Sequence, residues 1–258
     1  MRILMLGDTH GDLRACTNAL IQAKDDNCSI IVILGDFGFY PNIDDCVHFL
    51  NELSFKSIQY GIEIHWIKGN HENHEVLTQI CGDSLEEKEI RPNVFYHPNG
   101  NVWRWDGVAF LAMGGAWSKD RREREYEEAK GGIKTWFEGE EISKDDIRKA
   151  YHAGFVDVLL SHDSPLTSNL DDYLPFYMSG EAQENRRKLQ SVVESCRPKI
   201  NFHGHFHTSH ICSANYTTDT DEVVYFPSVA LNCNLGHFKR MYQVFDTETF
   251  KKEHNIEN

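Results

Sequence analysis

Short aliphatic runs alternate with stretches of helical spacing through the first half of the chain, the pattern of βαβ units. Residues 3–6 read as a strand that ends at Gly7. Asp12 is placed to cap a helix carrying Leu13, Ala19, Leu20 and Ala23 at helical spacing. Residues 29–34 are almost continuously Ile, Val and Leu, which predicts a strand buried on both faces. A helix is expected over 44–53, a third strand over 62–68 and a short helix over 73–80.

The middle of the chain changes character. Two apolar runs, 102–105 and 108–113, flank Asp106-Gly107, a strong hairpin signal. From Gly114 to Glu141 the residues are charged and Gly-rich with no sustained apolar period. So long a loop is expected to be functional or mobile, here a lid-like insertion carrying Arg121, Arg122, Arg124 and Trp136. Ser143 to Asp146 resembles a capping box opening the next helix. Strands are expected at 156–160 and 199–202, with a helix at 183–196 between them. Residues 223–226 and 241–245 read as strands of a closing hairpin or sheet, and 251–258 as a frayed polar tail. Without repeats or linkers, one domain over 1–250 is the simplest organisation.

Charge narrows the partners. The 258 residues include 26 basic and 40 acidic side chains, a net charge of −14. Stable duplex DNA binding is not expected, because it rests on neutralising phosphates. Basic runs at 119–124 and 186–188 leave room for a small anion or a short strand, although each alone reads as a solvated face. Seven cysteines are scattered and never spaced CxxC, which argues against disulfides or a zinc ribbon. The apolar start, residues 1–7, is too short for a signal peptide, and no run of 18 apolar residues exists. A cytoplasmic protein with no membrane partner is expected.

The chemistry gathers where five predicted strands end. They run into Gly7-Asp8-Thr9-His10-Gly11, Gly35-Asp36, Gly69-Asn70-His71-Glu72, Ser161-His162-Asp163 and Gly204-His205-Phe206-His207. In an open α/β sheet, ligands bind beyond the carboxyl ends of the strands, so all five loops are expected to converge. Carboxylate, imidazole and amide oxygen form a mixed set suited to Mn²⁺, Fe or Zn²⁺ rather than Ca²⁺.

Asp8-x-His10, Gly35-Asp36, Gly69-Asn70-His71-Glu72, His162 and Gly204-His205-x-His207 resemble, in order, the calcineurin-like metallophosphoesterase pattern D-x-H, G-D, G-N-H-D/E, H and G-H-x-H. The resemblance implies an α/β fold, a two-sheet α/β/β/α sandwich with the site at the carboxyl ends of the strands. It further implies two divalent ions, Mn²⁺ first, with Fe, Zn²⁺ or Ni²⁺ as alternatives. Asp8, His10 and His207 would hold the first ion, Asp36 would bridge, and Asn70, His162 and His205 would complete the second. His71 would protonate the leaving oxygen while a metal-bridging hydroxide attacks phosphorus. The substrate would be a phosphomonoester or phosphodiester, such as a nucleotide or short RNA end.

One departure matters. Relatives acting on phosphoserine or phosphothreonine carry G-D-x-V-D-R-G, whereas Gly35-Asp36-Phe37-Gly38-Phe39-Tyr40 lacks the second Asp and the Arg. A protein phosphatase is therefore not expected, and the residue orienting His71 is unassigned. The competing reading is a non-catalytic metal-binding scaffold on the same fold. His203 is expected to end a strand, His74 to lie on a helix and His210 at the surface. His65, His97, His152 and His237 show no partner pattern, and Trp103, Trp105 and Trp117 read as packing residues.

Overall fold

The computed structural model describes residues 1–40, 43–172, 174 and 180–256. Two six-stranded sheets lie face to face. In the first, β1 (Arg2–Leu6), β2 (Ile30–Ile33), β3 (Glu63–Trp66) and β5 (Val94–Tyr96) run parallel in that order. Its antiparallel edges are β12 (Tyr242–Asp246) beside β1 and β4 (Lys88–Arg91) beside β5. The second sheet centres on parallel β9 (Ile200–His203), β8 (Val158–Ser161) and β7 (Val108–Met113). β6 (Val102–Trp105) closes one edge of it, while β11 (Val223–Ala230) and β10 (His210–Thr217) close the other.

Alternation along each strand divides the apolar residues between layers. Leu4 and Leu6 pack beneath α1 (Leu13–Asp25) and α2 (Ile43–Tyr60), while Ile3 and Met5 face the other sheet. Ala109, Leu111 and Met113 of β7 turn outward to α5 (Lys144–Tyr151) and α6 (Gly180–Cys196), while Phe110 and Ala112 turn inward. Three apolar layers result, which is the expected α/β/β/α sandwich. α3 (His74–Cys81) follows β3, capped by the side chain of Asn73.

Several expectations are corrected. β11 and β12 do not form a hairpin; they belong to different sheets, β12 pairing with β1 and β11 with β9 and β10. The 114–141 segment contains a helix, α4 (Arg121–Ala129), with no buried residue and hence no apolar stripe to betray it. Ion pairs one turn apart, Arg121 to Glu125 at 3.1 Å and Arg124 to Asp120 at 3.2 Å, line its surface. Residues 251–254, read as tail, continue α7 (Thr247–His254), which Asp246 caps and Phe250 anchors in the core. Residues 257 and 258 lie outside the described part. Three strands, β4, β5 and β10, had no clear alternation to announce them. No described helix is long and apolar enough to cross a membrane.

Candidate metal centre

The carboxyl ends of β1, β2 and β3 in one sheet and of β8 and β9 in the other meet along one edge of the sandwich. All seven side chains read as ligands are brought together there. Asp8 Oδ2 lies 3.2 Å from His207 Nε2, which is 3.2 Å from His10 Nε2. Beside this trio, Asp36 Oδ2 lies 3.4 Å from His162 Nε2 and 4.0 Å from His10 Nε2. Asn70 Oδ1 is 3.0 Å from His162 Nε2, and the His205 ring stands 5.1 Å from that of His162. The His71 ring closes the group, 5.7 Å from the ring of His10.

Tight turns make this crowding possible. Four of the ten described non-glycine residues with positive φ are His10, Asp36, His205 and His207, at 46°, 45°, 66° and 49°. Left-handed backbone at such residues is costly and concentrates at functional sites. The neighbouring glycines give room: a Cβ on Gly69 would stand 2.1 Å from Asp36 Oδ1, and one on Gly204 2.0 Å from Asp8 Oδ1.

Hydrogen bonds fix which atom faces which. Asp36 Oδ1 accepts from the backbone N–H groups of Asn70 and His71, both at 3.0 Å, leaving Oδ2 for the imidazoles. The backbone N–H of His205 donates to both oxygens of Asp8 at 3.1 Å. The Asn70 amide donates through Nδ2 to Ser118 Oγ at 2.9 Å, which turns Oδ1 towards His162. His162 Nδ1 lies 2.7 Å from the Leu34 carbonyl, which can only accept, so Nδ1 carries a hydrogen and Nε2 is the nitrogen that presents a lone pair when the ring is neutral.

Three acceptor atoms, Asp36 Oδ2, Asn70 Oδ1 and His162 Nε2, are therefore turned on one another inside the protein. Buried acceptors so placed need a positive charge between them. The titration of the site reports the same demand. Burial works to keep His162 neutral, yet the charge of Asp36 and its hydrogen bond, with Asp8 beyond, push it up to about 10. The hydrogen bond to Asp8 likewise raises His207 to about 10. Burial works to raise Asp36, but the facing His162, His71 and His10 hold it well below the usual carboxylate range. A mixed oxygen and nitrogen donor set in this state fits divalent transition ions.

Some participants were not foreseen. Ser118 fixes the Asn70 amide and is itself hydrogen-bonded to buried Glu140, which Arg124 of α4 grips with two bonds of 2.8 Å. Ser118 lies five residues beyond β7, another buried parallel strand, so its place was signalled by position, at the end of the run Met113-Gly-Gly-Ala-Trp-Ser118. Cys233 hydrogen-bonds with His207 from a distant loop that no pattern marked. Lys119 joins Asp36, Asn70, His71, His205 and His207 in lining the open cleft above the centre. Of the histidines set aside, His203 does end β9, buried, and His74 does open α3. His65 and His97 do have partners, one being the other.

The calcineurin-like phosphoesterase profile matches residues 1–209. Among solved structures, a dimetal phosphatase from Danio rerio aligns with a TM-score of 0.52 at 12% identity, covering 95% of this chain and 91% of that one. A protein of Thermus thermophilus, TT1561, aligns with a TM-score of 0.50 at 13% identity, covering 95% and 98%. At such identity the likeness speaks for the fold alone. No curated protein matches the chain in sequence. With its profile matched from the first strand through the last histidine pair, the chain belongs to the calcineurin-like phosphoesterase family.

Proposed function

We propose that this chain hydrolyses a phosphate ester with two divalent metal ions, His71 serving as the acid. The supporting observation is the convergence of Asp36 Oδ2, Asn70 Oδ1 and His162 Nε2 on a point that calls for a positive charge, a proton on His162 or a metal ion, beside Asp8, His10 and His207. Asp8, His10 and His207 would hold one ion and Asn70, His162 and His205 the other, with Asp36 between them. Mn²⁺ is the ion proposed first, with Fe, Zn²⁺ and Ni²⁺ as alternatives that a set of imidazoles and carboxylates also suits. Bound ions supply Lewis acidity, lowering the pKa of water and compensating phosphate charge.

The chain's own groups supply the rest. His71 lies on the rim of the cleft with its backbone N–H anchored on Asp36, so the ring faces incoming substrate and gives its proton to the departing oxygen. Ser118 holds the Asn70 amide in one orientation. Lys119 shares the cleft mouth with Asp120 and Glu123, and Arg121 and Arg122 share the adjoining hollow with Glu125 and Glu181, a wall of mixed charge beside which a nucleotide or short RNA end is the ester proposed.

The test is hydrolysis of 4-nitrophenyl phosphate and bis(4-nitrophenyl) phosphate by chelator-stripped protein before and after Mn²⁺ addition. Activity restored by metal on at least one ester is expected. Bound metal with hydrolysis of neither, nor of short RNA, would reject catalysis in favour of a scaffold.

A further inference from the structure

The sandwich holds a second histidine cluster that the catalytic centre does not use. His65 lies in β3 and His97 just beyond β5, at the side of the sandwich where β6 covers the first sheet. Their rings meet at 2.8 Å, His65 Nδ1 to His97 Nε2. Glu87, on the approach to β4, brings Oε2 to 3.8 Å from the first nitrogen and 3.6 Å from the second.

The outer nitrogens decide what the inner ones can do. His97 Nδ1 is 2.6 Å from Asn101 Oδ1, and His65 Nε2 is 3.3 Å from the Glu63 carboxylate. Both partners accept, so His97 Nδ1 carries hydrogen, and in the His65 tautomer that Glu63 favours the two inner nitrogens present lone pairs to each other and to Glu87. A hydrogen ion does not resolve the conflict near neutrality. Burial pulls His65 down to about 3, and burial together with His65 does the same to His97. Phe95, Trp103 and Trp105 pack against the rings and wall off one side, whereas Glu87 is half-exposed and leaves an approach from solvent.

We propose that His65, His97 and Glu87 form a further site for a divalent transition ion, zinc by preference, distinct from the catalytic centre. Two imidazoles and a carboxylate, with a fourth position for water, are a familiar zinc donor set. Nitrogens about 2.0–2.1 Å from zinc stand roughly 3.4 Å apart in a tetrahedron, so the rings part slightly and Glu87 moves in. Asn101 and Glu63 are the outer partners that orient ligating histidines. A bound ion would tie together β3, the end of β5 and the segment entering β4.

The test compares zinc content of the full chain, Glu87→Gln and His97→Gln, by mass spectrometry after zinc loading and gel filtration. The parent is expected to carry one zinc per chain more than either variant, with Mn²⁺-dependent hydrolysis unchanged in Glu87→Gln. Equal zinc in all three overturns the site. Should His97→Gln fail to fold, chelator competition on Glu87→Gln decides. One zinc class weakened about tenfold or more is expected, and unchanged affinity rejects the proposal.

Discussion

Two groups of histidines in this fold share a residue type and sit in opposite environments. At the carboxyl edge, His162 is fully buried yet pushed up to about 10, because Asp36 and Asp8 face it. Between the sheets, His65 and His97 are equally buried but pulled down to about 3, among aromatic rings. Burial acts in the same direction on all three. The difference lies in the carboxylates that face the ring: Asp36 and Asp8 are buried with His162, whereas Glu63 and Glu87 beside His65 and His97 are half-exposed and screened by solvent.

Removing the proposed bridge should separate the two clusters most sharply. Asp36→Ala is expected to lower kcat/KM for bis(4-nitrophenyl) phosphate by about 10³ or more, several kcal/mol at 1.4 per tenfold. Folded His97→Gln should hydrolyse the same ester at the parental rate. A comparable loss in both would erase the distinction.

Next in size is the proposed acid. His71→Ala is expected to lose about 10² to 10⁴ in rate on alkyl phosphates, and much less on nitrophenyl esters, whose leaving groups need little protonation. Equal losses on both would count against the role of His71. Ser118→Ala leaves the Asn70 amide free to turn, and should weaken metal affinity or activity by about 10- to 100-fold. Unchanged metal titration would show that the amide needs no such support.

The smallest effect is on stability. Unfolded His65 and His97 titrate near 6.5, whereas the folded values are about 3. Their contribution is therefore full above pH 6.5 and lost as pH falls towards 3. In chelator-treated protein each should cost about 1.4 kcal/mol per pH unit below 6.5. Denaturant midpoints at pH 7 and 5.5 check this, and His97→Gln should flatten the slope. An equal slope in the variant would mean that the pair titrates as it does in the unfolded chain.

What the sequence made legible follows from how each feature is built. Buried parallel strands announce themselves as aliphatic runs, and Asp8, Asp36, Asn70, His162 and His205 stand directly after such runs, so the centre could be placed before the fold was seen. α4 escaped notice because it buries nothing, and β4 because its residues, KEIR, are largely charged. Ser118 and Cys233 act through single hydrogen bonds that leave no periodicity. His65 and His97 are 32 positions apart, and only the pairing of β3 with β5 brings them together.

The proposed hydrolysis requires seven side chains to share two cations. Anomalous diffraction from Mn²⁺-soaked crystals tests this most directly. Two peaks about 3.5–4 Å apart are expected, one against Asp8, His10 and His207, the other against Asn70, His162 and His205, with Asp36 Oδ2 between them. No peak at this edge, or density placed away from Asp36, would contradict it.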